Sequence, residues 1–527
     1  MPRTRNAERK PLSFSTTMRN PERIGAHLSV LTPYEGKILN NEIIINIIKD
    51  LFQNKIIFSY YELSVPKYKK IFLSDNLSFS TEDINDLIEN SADGLNKRHK
   101  EFGFDKGWPS RFATRYGLPQ ELGFVRYEIG QPIKISQTGH MLINAYNNEN
   151  RNEELAQNVM LNALMKYQTN NPFRKNLNSN APLPLLLNVL NLLKQDKSEN
   201  GAGIYKLELP ILICWGNNDA YELYKYIKTL REEVGYSYSI EFIYEKCLEL
   251  LGADDSKRNR FKMDQICGEA IDEYIRKMRS TGIISLRGNG RFIDFNMVEE
   301  DKINYIIKVY SEYPTFEDKQ SYYDYIGEID SKILEIKQSS KINLHDIKIK
   351  TLYKYAQNYS EEEIFNELMK VCNRKDSKDE ILKFINAPTR LEFLTSIALV
   401  QQFKEISVEP NYSVDDEGLP TFTAGGNIAD IECYDSEYNS LFEVTLMCGR
   451  QDQVHNEIIP ISRHLAEQKV KNEKSFSVFI APVIHPDTKK SAAWIKFNEN
   501  LDIIPLDINE FIESIQQKQK VEELLLA

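Results

Sequence analysis

PTFTAGGNIADIECYDSEYNSLFEVTLMCGRQDQVHNEIIPISRHLAEQ, residues 420–468, is the stretch on which the fold turns. Paired glycines open it, a strand follows around Asp430, and the polar turn DSEYNS leads into an apolar strand, Leu441–Met447, and then a helix carrying His464. Just upstream, APTRLEFLTSIAL (387–399) reads as a helix from Arg390; just downstream, SFSVFIAPVIHPDT (475–488) reads as another buried strand, Ser475–Ile484. The order is helix, strand, strand, helix, strand. A hairpin followed by a helical crossover predicts a mixed sheet in an α/β core.

Two acids interrupt otherwise apolar strands. Asp430 starts one strand and Glu443 lies thirteen residues later on the next. If the strands pair, the carboxylates converge at one end of the sheet. Two acidic oxygens and a backbone carbonyl, that of Val444, are what a Mg²⁺ ion needs while it keeps several waters. Hydrolysis of a phosphodiester then asks for a water in line with the leaving 3′ oxygen and a positive partner for the developing charge.

Working towards the N terminus, 299–378 is helical and rich in Lys, Glu and Tyr, and reads as a connector. Before it the grammar is helices followed by a two-stranded ribbon, and it occurs twice. Helical periodicity in Asn41–Asn54 and Thr81–Asn90 leads to the strands Phe124–Ile129 and Pro132–Ser136; a basic amphipathic helix ending near Gly282 leads to Ile283–Leu286, GlyAsnGly and Arg291–Phe295. Both describe winged-helix modules, which lay a helix in the DNA major groove and touch phosphate with the ribbon. The domains expected are therefore 1–298 for DNA recognition, with modules near 30–165 and 200–298, a helical linker 299–378, and a core 379–527. Winged helices also serve as plain protein-interaction modules, and that alternative stays open at this stage.

A net charge of −11 opposes nucleic-acid binding as a whole-chain number, but the charge is uneven. Met1–Val30 carries six basic and two acidic residues, Lys97–Gly139 eight and four, and Tyr274–Arg291 five and none. The DNA-facing candidates are Arg19, Arg23, Arg111, Arg115, Arg126, Lys134, Arg276, Lys277, Arg279, Arg287, Arg291 and, beside the core strand, Arg450. The length of 527 residues exceeds one hydrophobic core. The six cysteines include no CxxC pair, which excludes a zinc ribbon and reads as reduced thiols. No apolar run is long enough to span a membrane and Met1–Val30 lacks a signal-peptide core, so a cytoplasmic location without membrane association is expected.

The spacing from Asp430 to Glu443-x-x resembles the PD-(D/E)XK nuclease core. The combined strings GGNIAD (425–430), LFEVTLMCGRQ (441–451) and FIAPVIHPDT (479–488) resemble the AlwI family of type IIS restriction and nicking endonucleases, as do SFSTTMRNPERI (13–24) and NPFRKNLN (171–178). The resemblance implies a recognition region, a linker and a cleavage domain in that order. It also implies Asp430 and Glu443 as metal ligands, with Glu392, Glu457 and His464 completing the catalytic set. Mg²⁺ is the implied cofactor, with Mn²⁺ as a substitute. Double-stranded DNA, a second copy or small nuclease subunit for the second strand, and a companion DNA methyltransferase are the implied partners. Where a Lys usually follows Glu-x, this chain has Thr445, so the water-orienting role passes elsewhere. Thr389-x-x-Glu392 is equally a capping box, Pro460 can kink the helix between Glu457 and His464, and Arg450 and Arg463 can bind phosphate or pair with nearby acids. The function expected is cleavage at a short offset from an asymmetric site. The competing readings are a winged-helix regulator with an inactive nuclease-like domain and a structure-selective repair nuclease.

Overall fold

A computed structural model describes residues 10–15, 17–57, 61, 64–72, 74, 77–90, 108–146, 151–199, 201–253, 260–425 and 428–526. Residues 1–9 and 97–107 of the two N-terminal basic stretches, and Gly426 of the paired glycines, lie outside them. The chain forms two compact units, one of Met1–Tyr61 and Thr81–Lys341, the other of Glu62–Ser80 and Ile342–Ala527. Helices combine with a mixed sheet in an α+β architecture. No helix among the described residues is long and apolar enough to cross a membrane.

The first unit is mostly helical. Its buried centre is the pair Glu153–Lys166 and Pro182–Gln195, the second of which starts where Pro182 sits in the first turn. The first expected ribbon is present but short: Val125–Arg126 pairs antiparallel with Lys134–Ile135. The outer residues of that ribbon spend their backbone groups on residues 36–39 instead. Ile133 accepts from Gly36 at 2.8 Å and donates to Lys37 at 3.0 Å, and Gly130 donates to Leu39 at 2.9 Å. The second ribbon, Ile284–Arg287 with Phe292–Phe295, is joined by a third strand, Ile204–Tyr205. Its turn holds Gly288, Asn289 and Gly290 all at positive φ, which explains the two glycines.

Ahead of that ribbon runs the helix Ala270–Arg279, the basic amphipathic segment of the sequence. Lys277, expected to face DNA, is buried at 1% exposure. Its ammonium donates to the carbonyls of Met18 (2.6 Å) and Arg19 (3.0 Å) and lies 3.7 Å from Glu273. Burial pulls its pKa down to about 8. It is an internal fastening, not a groove contact. Arg115 is corrected in the same way: at 5% exposure it is packed inside the helix Trp108–Glu121, its charge felt by His27 and Tyr116.

The expected connector, 299–378, is not an independent element. Glu300–Val309, Lys319–Gly327 and Ser331–Glu335 belong to the first unit, where Asn162 and Lys166 donate to the carbonyls of Tyr325, Ile326 and Glu328. Leu344–Asn358 and Glu361–Cys372 belong to the second and pack on the helix Ala387–Gln402. Tyr-rich polar sequence hid these packing faces: Tyr322 is fully buried and Tyr323 nearly so.

The second unit is built on a five-stranded sheet. In chain order its strands are β1 (Ser407–Pro410), β2 (Ile431–Tyr434), β3 (Asn439–Val444), β4 (Phe476–Ala481) and β5 (Ile503–Asp507). They lie in the spatial order β5-β4-β3-β2-β1; β1, β2 and β3 are antiparallel, and β3, β4 and β5 parallel. Every residue of β4 is buried, as a central parallel strand requires. The helix Ala387–Gln402 starts three residues before Arg390 because Pro388 occupies its first turn. Thr389 therefore lies inside the helix, buried, and no Thr389–Glu392 capping box forms.

Removing the Lys277 fastening leaves Glu273 short of a partner and two carbonyls unpaired in the interior. Lys277→Met is expected to destabilise the first unit by roughly 3 kcal/mol, read by denaturant unfolding; an unchanged midpoint would show that these bonds carry no net stability.

Candidate active site

β2 and β3 pair with Leu441 opposite Glu432 and Phe442 opposite Ile431. That register brings Asp430, one residue before β2, against the end of β3. The Val444 amide donates to Asp430 Oδ2 at 2.7 Å, and the Asp430 amide donates to Glu443 Oε2 at 3.4 Å. Each acid thus holds the other's strand end, as the two-strand reading expects. Beyond Val444 the chain leaves the sheet after one further bond, Thr445 N–H to Ile480 at 3.0 Å, so the strand ends earlier than Met447.

The helix after β3 supplies the remaining groups. It begins as a π-helical segment, Asp452–Ile458, and continues as the α-helix Ile459–Lys471, with Pro460 in its first turn. The expected interruption between Glu457 and His464 is therefore real, yet both side chains reach the same site. His464 Nδ1 is 2.9 Å from Glu443 Oε1, and Glu457 accepts a hydrogen bond from the Thr445 hydroxyl. Thr445, standing where the motif Lys would be, is thus a partner for the acid arriving from the next helix. That contact pairs residues twelve apart in sequence across a strand end and a π-turn, and no periodicity announces it.

Electrostatically the cluster is loaded. Burial and the neighbouring Glu443 charge push Asp430 well above the usual carboxylate range. Burial, with Glu457 nearby, pushes Glu443 up to about 8; burial also lifts Glu457 to about 8, with Asp430 adding to it. Burial, reinforced by the Arg463 charge, lowers the His464 pKa and keeps the imidazole neutral. Its Nδ1 shares one proton with Glu443, and the imidazole is the donor once that carboxyl is ionised. Nε2 is buried and has no hydrogen-bond partner.

Among the described residues no three His, Cys, Asp or Glu side chains are arranged, as they stand, to ligate one ion. The donor chemistry fits a hard divalent cation all the same: carboxyl groups stand together where burial and mutual repulsion raise their pKa values, and oxygen is the donor such an ion takes. Asp430 and Glu443, with the Val444 carbonyl, are the residues that would hold it.

Glu392 has a different setting. Buried in its helix, it accepts the Ala424 amide at 3.1 Å and acts electrostatically on Tyr412 and Lys348. Arg450 is exposed and paired with Asp487 at 2.6 Å. In the first unit Arg19 and Arg276 lean on Glu273 at 3.3 and 3.7 Å, Arg287 on Asp294 at 2.9 Å, and Arg126 on Gln320. Arg23, Arg111 and Arg279 are half-buried, while Lys134 and Arg291 are exposed, Arg291 donating to Gly288 O at 3.3 Å.

A model of the AlwI restriction endonuclease family matches residues 120–352 and 325–514. No curated protein matches. Among solved structures, the small subunit (R.BspD6I2) of the heterodimeric restriction endonuclease R.BspD6I is 24% identical, with a TM-score of 0.25, over 30% of this chain and 77% of that one. Restriction endonuclease FokI is 10% identical, TM-score 0.26, over 98% of both chains, and its DNA-bound form 12% identical, TM-score 0.25, over 99% and 98%. Superpositions this loose transfer neither fold nor activity.

The raised carboxylate pKa values fix a pH dependence. Between the unfolded value of Glu443, 4.5, and its folded value of about 8, the folded chain holds a proton that the unfolded chain has released. Its stability therefore falls as pH rises through that window. In chelator-treated protein, Glu443→Gln is expected to gain on wild type in melting temperature as pH is raised from about 5 to about 8; a gap that stays constant or shrinks would contradict the crowded-carboxylate electrostatics.

Proposed function

The chain belongs to the AlwI restriction endonuclease family and is a site-specific deoxyribonuclease; on that footing we propose that it is a Mg²⁺-dependent type IIS enzyme, cutting a short distance outside an asymmetric recognition site. The observation that carries the proposal is the meeting of Asp430, Glu443, Glu457 and His464 at one end of the β2–β3 pair. A Mg²⁺ ion held by Asp430, Glu443 and the Val444 carbonyl would supply Lewis-acid polarisation of the scissile phosphate.

The side chains divide the remaining work. Glu457, tethered by the Thr445 hydroxyl, takes over the orienting role of the absent Lys and aims a water at phosphorus. With Glu443 ionised, His464 donates its Nδ1 proton to that carboxylate, which leaves the Nε2 lone pair to accept a proton from that water. Burial keeps the ring neutral and so able to accept. Glu392 holds the backbone at Ala424, six residues before Asp430. Arg450, freed from Asp487, is the positive group placed to meet phosphate charge.

Recognition falls to residues 1–298 and cleavage to 379–527. The helix Ala270–Arg279 with the ribbon Ile284–Arg287 and Phe292–Phe295 supports a winged-helix reader in which Arg276, Arg279, Arg287 and Arg291 face DNA. The helices up to Gln137–Ala145 and the short Val125–Arg126 ribbon support a second, with Arg19, Arg23, Arg111, Arg126 and Lys134. One such catalytic site cuts one strand, so cutting both calls on a second copy or a partner subunit.

Supercoiled plasmid bearing mapped sites decides the reading. Wild type with Mg²⁺ is expected to nick or linearise it at a fixed offset; chelation is expected to stop this. Glu443→Ala should lose cleavage and keep sequence-specific binding. Intact DNA in every Mg²⁺ sample would leave the inactive-domain regulator as the better account, and cutting only at branched DNA the repair nuclease. Protein shown to stay monomeric on DNA is expected to yield open circles; linear product from that monomer at one site would contradict the one-strand assignment.

A further inference from the structure

The π-helical segment Asp452–Ile458 carries a buried amide that the acidic cluster does not touch directly. Gln453 is fully buried, and its side chain makes four hydrogen bonds. Nε2 donates to the Met447 carbonyl at 2.9 Å and to the Val483 carbonyl at 2.7 Å; Oε1 accepts the His485 amide at 2.9 Å and the Thr488 hydroxyl at 3.0 Å. An amide has two donors and two acceptor sites, so nothing is left over. Two carbonyls on one side and two donors on the other fix which end is oxygen.

The four partners come from both chain exits at this edge of the sheet. Met447 follows β3, which carries Glu443 and ends at Val444; Val483 follows β4, which ends at Ala481. His485 and Thr488 start the helix Pro486–Glu499. Gln453 itself lies four residues before Glu457, and its own amide bonds to Gly449 at 3.0 Å. A π-turn is intrinsically uncommon and recurs at functional sites, where surrounding contacts must hold it. Here those contacts converge on one side chain.

The geometry points to Gln453 as the positioning residue of the cleavage site: by tying the exits of β3 and β4 to the π-turn, it sets where Glu457 stands against Thr445 and Glu443. It also keeps the two segments bearing Arg450 and Asp487 in register, since their ion pair spans the same two exits. This inference rests on the nuclease reading above and adds a residue that acts through Glu443, on the strand whose exit it ties, and through Glu457, without touching the substrate.

The test uses the full chain and two readouts: single-turnover cleavage of saturating cognate DNA, and terbium(III) luminescence as a DNA-free probe of the carboxylate site. Gln453→Glu keeps the size and the two accepted bonds but turns an oxygen towards the Met447 and Val483 carbonyls. Both the cleavage rate and terbium affinity are expected to fall about 10–100-fold, as for other residues that orient ligand groups, with DNA affinity unchanged. Thr488→Val removes one bond alone and is expected to reduce both readouts by less. Wild-type terbium binding in Gln453→Glu overturns the inference, whether or not cleavage suffers, as does a fall in melting temperature alone. Should Gln453→Glu not fold, Thr488→Val decides in the same terms. Glu443→Ala, which removes a carboxylate, calibrates the probe by losing terbium. Wild type that binds terbium yet cuts no DNA removes the nuclease reading, and the terbium comparison between wild type and variant still decides the positioning role.

Discussion

Acidic side chains driven out of water beside one another are the constraint around which the second unit is arranged. Asp430, Glu443 and Glu457 come from a strand start, a strand end and a π-turn, and each is raised by burial and by another of the three. Left alone they would repel or take up protons. The fold opposes this with directional contacts: a backbone amide to each of Asp430 and Glu443, an imidazole to Glu443 and a hydroxyl to Glu457. Those contacts hold the groups in place, and the raised pKa values leave protons on them near neutral pH when no cation is bound. A cation would take the place of those protons, which is why the electrostatics and the family membership lead to the same chemistry.

Much of this was readable in the sequence, for physical reasons. Asp430 and Glu443 stood out because each breaks an apolar strand, and strand pairing with a short turn leaves little freedom in where they meet. The mixed sheet followed from a hairpin, a crossover and a fully apolar strand. His464 and Glu457 came from resemblance, and their joint arrival at Glu443 and Thr445 depends on a π-segment that no simple helical spacing describes. Gln453 was invisible, because its partners lie on two loops whose approach is set only by the folded sheet.

The misreadings are equally specific. The basic face of Ala270–Arg279 has one pattern for two outcomes, a groove contact or an interior cation. Lys277 takes the second because the Met18 and Arg19 carbonyls come to it from far along the chain. A Pro at the first turn moved the start of Ala387–Gln402 and dissolved the cap expected at Thr389. The region 299–378 seemed a connector because its polar residues outnumber its apolar ones, yet a few buried tyrosines and isoleucines dock each half onto a different unit.

The bond from Lys277 to Met18 spans 259 residues, and it has a bearing on how the chain is made. During synthesis the helix Pro21–Leu31 emerges long before the lysine that secures the segment ahead of it. The first unit thus passes through a stage in which its opening helices are present but unlatched, and closure waits on late-arriving sequence. The five strands of the second unit, by contrast, all fall between Ser407 and Asp507 and can assemble as soon as they clear the exit tunnel. On this ordering, truncation or stalling before residue 277 leaves the first unit unlatched, whereas the strands of the sheet meet within one short stretch of chain.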